Sequence, residues 1–131
     1  MGIKRLARAL CIAGIAAASA VYAQMTLPTA APQPDGATLF ANQRATCHTL
    51  NPNDPPRQGP NLAHVYGRKA GSVAGLAYGK GFASVDFVWD EQHLDAWLAH
   101  PQAVIPGTVM AYGQANPAIR KQIIDWLKEQ H

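Results

Sequence analysis

Cysteine is nearly missing from this chain, with two in 131 residues. Cys11 lies in an apolar run behind a basic head of Lys4, Arg5 and Arg8, without the small residues that precede a lipoprotein cysteine. The run from Ala9 to Ala23 holds about 15 residues, short of the ~20 that a membrane-crossing helix needs. Ala18-Ser19-Ala20 and Val21-Tyr22-Ala23 both offer small residues at cleavage positions, so residues 1–23 are expected to be a secretory signal peptide cut after Ala23. The exported chain then keeps one thiol, Cys47. One thiol excludes an internal disulfide, leaving Cys47 free, intermolecular or consumed by chemistry.

An excess of one charge is absent too. The formal +3 counts Lys4, Arg5 and Arg8, and without them the eleven Lys and Arg fall to eight, against eight Asp and Glu. No basic stripe remains, so nucleic acid is not an expected partner and a membrane is expected only through partner proteins. Length is lacking for a second domain, since 131 residues at 48% hydrophobic content suit one core. Methionine is scarce as well: Met1 and Met25 precede the folded region, leaving Met110 alone within it.

Residues 24–34 are rich in proline and alanine without periodicity and read as a flexible tether, so the folded domain is expected over residues 35–131. Asp35 can cap a helix running to about Gln43, with Leu39 and Phe40 for its buried face. Asp90 can cap a second, with Leu94, Trp97 and Leu98 at i, i+3 and i+4, ending before Pro101. Asn116 caps a third, with Pro117 at the first helical position and Ile119, Ile123 and Leu127 along one stripe. The class is all-α, with about three main helices. Between them, Pro52, Pro55, Pro56, Gly59, Pro60, Gly67 and Gly71 mark long irregular loops, which are uncommon in a compact domain and usually functional. So heavily looped a chain buries a modest core, and a bound group should fill the centre.

The run Arg44-Ala45-Thr46-Cys47-His48 names a candidate. In C-x-x-C-H, two thiols bond to haem vinyl groups and the histidine becomes an iron ligand. Here Arg44 stands at the first thiol position. Further pieces follow in order: Gly36 and Phe40 before the run, then Gly59-Pro60-Asn61-Leu62, Gly67-Arg68, Trp89 and Ile105-Pro106-Gly107-Thr108-Val109-Met110. With these pieces, the sequence from Gly36 to the C-terminus resembles the class I c-type cytochromes.

That resemblance implies a cytochrome c fold, with helices and long loops wrapped around one haem, and a one-electron carrier rather than an enzyme. His48 and Met110, 62 positions apart, would be the two iron ligands. Pro60 would supply the carbonyl that accepts from the His48 ring. Cys47 would form a single thioether to haem c, as in the single-cysteine motifs of some mitochondrial members. Arg68, Tyr78 and Trp89 fall where the family's donors to a buried propionate sit, and Trp97 where the family commonly has a tyrosine touching the methionine. His64, His93, His100 and His131 read as solvated or packing residues, with His64 the first substitute to test should Met110 not bind. Implied partners are redox proteins, a reductase or dehydrogenase as donor and an oxidase or reductase as acceptor, reached in the periplasm. Gln102, Ala103 and Val109 replace part of the family's lysine ring, so a weak and largely apolar docking surface is expected. Two alternatives stay open: a five-coordinate haem sensor or peroxidase-like enzyme, and a haem-deficient interaction module left by Arg44.

Overall fold

Three short polar side chains decide where the main helices begin. Asp35 Oδ1 accepts from the Thr38 N–H (2.7 Å) and opens α1, Gly36–Gln43. Asp90 Oδ1 accepts from the His93 N–H (2.8 Å) and opens α2, Glu91–Ala99. A further short helix, α3, spans Pro101–Val104. Asn116 Oδ1 accepts from the Ala118 N–H (3.0 Å), with Pro117 at the first position of α4, Pro117–Lys128. Each cap satisfies a backbone donor that the first turn leaves without an intrahelical partner. The computed structural model describes residue 32 and residues 34–130. The expected signal peptide, and all but two positions of the expected tether, lie outside the described residues.

All three sequence-read helices are present at the expected places, and the architecture is all-α. Among the described residues there is no strand, only an isolated antiparallel bridge between Lys69 and Val88. Two elements go beyond the sequence reading: α3, which restarts at the proline that closes α2, and a 3-10 turn at Lys80–Ser84. Pro101 ends one helix because the residue before a proline resists the helical conformation, yet it suits the first position of the next. No described helix is long and apolar enough to cross a membrane.

α1 and α2 both pack on α4. The α1–α4 crossing is close, because a Cβ on Gly36 would lie 2.2 Å from Trp126 Cβ. Phe40 and Trp126 pack there with ring centroids 5.1 Å apart. Leu94 and Leu98 of α2 and Ile123, Ile124 and Leu127 of α4 are buried, together with Leu39, Val65 and Ile105. Fully burying an aliphatic side chain of this size contributes roughly 1.5–3 kcal/mol. The loops are tied by their own backbone: Gly67 N–H donates to Trp89 O and Trp89 N–H to Arg68 O, both at 2.9 Å. Trp89 is thereby fixed against the loop that carries Arg68.

Candidate functional site

The end of α1 sets the first half of the site. Arg44 N–H donates to Phe40 O (2.8 Å), and the Arg44 carbonyl accepts from both Cys47 and His48 N–H at 3.0 Å. The thiol and the imidazole are therefore presented by one tight turn. The next loop returns to it, with Gly59 N–H donating to Cys47 O at 2.8 Å. His48 Nδ1 lies 2.8 Å from Pro60 O. Since a carbonyl only accepts, the proton is on Nδ1, and Nε2 of the neutral ring keeps its lone pair. Burial holds the His48 pKa below its ordinary 6.5; the bond to Pro60 opposes this and the Arg44 charge adds to it. The ring is neutral at neutral pH, the form that binds metal. Gly59 packs flat on it: a Cβ there would stand 2.3 Å from His48 Cε1.

The loop after α3 sets the second half. Gln102 braces it from both ends of its amide: Oε1 accepts from Gly107 N–H (3.1 Å) and Nε2 donates to the Thr108 carbonyl. Thr108 is buried, and its hydroxyl accepts from Met110 N–H at 3.3 Å. The half-buried Met110 is thus delivered by a loop pinned from behind.

Between the halves lies a cavity of about 610 Å³, within the range of sites that enclose an organic ligand. His48 and Met110 line it, as do Cys47 and Pro60. Arg68, Tyr78, Trp89 and Trp97 line it as well. The structure brings every sequence-read site residue to one place. Arg68 donates from Nη1 to Ala63 O (3.0 Å) and from Nη2 to Asn61 O (2.9 Å), and burial lowers its pKa. The Tyr78 hydroxyl accepts from Val73 N–H at 3.2 Å. Trp97 packs against Trp89 (5.2 Å between centroids) and Phe82 (5.9 Å). His64, considered as a substitute ligand, is exposed at φ 54 and is not part of the cavity lining. Among the described residues, no three of His, Cys, Asp and Glu gather as a metal cluster.

Known proteins are similar to this chain. The chain is 41% identical to a cytochrome c of Theileria annulata over 95 residues, covering 72% of this chain and 82% of the relative. It is 38% identical to a cytochrome c of Arabidopsis thaliana over 96 residues, 72% and 86% of the two chains. The chain belongs to the cytochrome c family. A cytochrome c2 of Rhodomicrobium vannielii is 41% identical over 86 residues, 65% of this chain and 69% of the relative. No protein-family model matches. Membership makes this an electron carrier, its cofactor haem c and its partners redox proteins.

The residues present fit that cofactor. The wall of the cavity is mostly apolar, with aromatic rings on several sides, and an imidazole and a thioether are the donors that haem iron takes in this family. The glycine against His48 leaves the ring room, and one buried donor, Arg44 Nη2, has no partner among the described residues.

Sequence reasoning overlooked two residues of this site. Arg44 entered it as a missing thiol, yet its side chain is only 5% exposed and lies over the Tyr112 ring, 3.4 Å from the centroid. Burial pushes its pKa down to about 10. Tyr112, which donates to Gln43 Oε1 across 69 positions, carries no local motif that could have marked it. Gln102, read as part of a docking surface, also braces the methionine loop.

Proposed function

We propose that this chain carries single electrons in the periplasm, with haem iron held by His48 and Met110 and the porphyrin bonded through Cys47 alone. The observation that carries this reading is the His48 Nδ1–Pro60 O bond at 2.8 Å, which leaves Nε2 as the free donor in a cavity that Met110 also lines. A ring oriented by a backbone carbonyl is the usual support of a metal-bound histidine. When bound, the haem supplies one-electron exchange between ferrous and ferric iron. The chain's part is to hold it, exclude water and set its energy. Cys47 Sγ, 3.5 Å from Gln58 Oε1, is half-buried and lines the cavity, where it would bond to a haem vinyl group. Arg68 has donated two of its five N–H groups to loop carbonyls, so others are available to a propionate, with Tyr78 and Trp89 beside the same cavity. Export rests on residues 1–23, and the donor would be a reductase or dehydrogenase, the acceptor an oxidase or reductase.

Two measurements on purified holoprotein test this. The ferric protein should show the near-infrared charge-transfer band of a methionine-iron bond, and Met110→Ala should abolish it while lowering the reduction potential. Acid-acetone extraction should leave the colour with the protein. Haem partitioning into the organic phase would reject the thioether, and a band that survives Met110→Ala would reject the ligand.

A further inference from the structure

A permanently charged side chain is walled into the haem cavity with no counter-ion. Arg44 lines the cavity, is only 5% exposed, and makes no salt bridge among the described residues. Its guanidinium lies over the Tyr112 face at 3.4 Å, and Tyr112 is held in turn by Gln43 and by Gln114 Nε2, which donates to its hydroxyl at 3.2 Å. Nη2 is buried and finds no acceptor among the described residues. Burying an unpaired charge is costly, and an aromatic face offsets only part of it. The backbone of the same residue binds the turn of Cys47 and His48, so the charge sits beside the histidine half of the site.

The geometry points to Arg44 as a tuning residue for the electron that this protein carries: its clamped, uncompensated charge favours the reduced over the oxidised haem. The inference rests on the reading that haem occupies this cavity. Bound haem bears one more positive charge oxidised than reduced, so a fixed cation nearby repels the oxidised form more. The electron comes from the donor protein and leaves to the acceptor; Arg44 makes and breaks no bond and exchanges no proton. In the protein interior such a field is stronger than in water and little screened by salt. A thioether at this position would be a neutral anchor. Arginine gives up the anchor and sets a charge in its place.

The experiment compares wild type, Arg44→Gln and Arg44→Lys as purified holoproteins. Haem content is established first by pyridine haemochrome, and the midpoint is then read by spectroelectrochemical titration. Arg44→Gln should lower the ferrous-to-ferric ratio at a fixed ambient potential by about tenfold, equivalent to about 59 mV for one electron. Arg44→Lys, which keeps the charge, should stay within about twofold of wild type, on the same Coulomb argument. An unchanged ratio in Arg44→Gln overturns the proposal, and so does an equal fall in Arg44→Lys, which would mean that shape and not charge matters. Should glutamine prevent haem loading, Arg44→Met takes its place in the same comparison. Should neither neutral variant load, the wild-type midpoint decides: invariance between low and high salt supports a buried charge, and a shift of the size that surface charges give overturns it. Wild type without haem would sink the underlying reading instead, a result the haemochrome reports separately.

Discussion

Gly59 packs closely against the His48 ring. A methyl group at Gly59 would meet the ring at 2.3 Å from Cε1 and 2.7 Å from Nδ1, and the ring is already held by Pro60 O. Gly59→Ala should therefore tilt the imidazole, costing about 1–3 kcal/mol of stability and reducing haem retention, as thermal melts and haem-to-protein ratios would report. The protonation of His48 gives a second expectation. Its folded pKa lies below the 6.5 of the unfolded ring, so the unfolded chain binds the extra proton first. Stability is complete above about 6.5 and is lost as pH falls from there towards the folded pKa. Asp35, Asp86, Asp90 and Asp125 also have lowered pKa values, but their loss sets in only around and below 3.8. A melting temperature that stays flat from pH 7 to pH 5 would contradict a buried neutral His48.

α4 carries both halves of the helical frame, since α1 crosses it at Gly36 and α2 packs along it. Ile123, 1% exposed, belongs to the buried cluster that also holds Leu39 of α1 and Leu94 of α2, whereas the partly buried Ile119 lies a turn nearer the helix start. Ile123→Ala should cost about 2–5 kcal/mol, and Ile119→Ala clearly less, in denaturant melts of the holoprotein. The caps were readable because they are local: Asp35, Asp90 and Asn116 each act within three residues. The heptad-like stripes Leu94, Trp97, Leu98 and Ile119, Ile123, Leu127 were readable because helices repeat at 3.6 residues. α3 was not, since four residues hold barely one turn and show no period.

The segment that carries the methionine loop, residues 101–119, holds no Lys, Arg, Asp or Glu. Gln102, Ala103 and Val109 are all exposed, Val109 at 86%. Association with redox partners should therefore depend weakly on ionic strength, because little long-range steering exists to be screened. Stopped-flow electron transfer that slows steeply between low and physiological salt would contradict this.

The capping side chains and the order of helices and loops are written along the chain, because capping and amphipathic periodicity each act over a few residues. His48 and Met110 were legible as candidates for the same reason, each lying in its own short motif, and both line one cavity. The fate of Arg44 was not. Whether that residue is a mere gap in a motif or a charge pressed against Tyr112 depends on contacts spanning 68 positions, and burial is a property of packing that no local window contains. The same holds for Gly36 against Trp126 and for Gln102 behind the methionine loop: each takes its role from a neighbour that folding alone brings near.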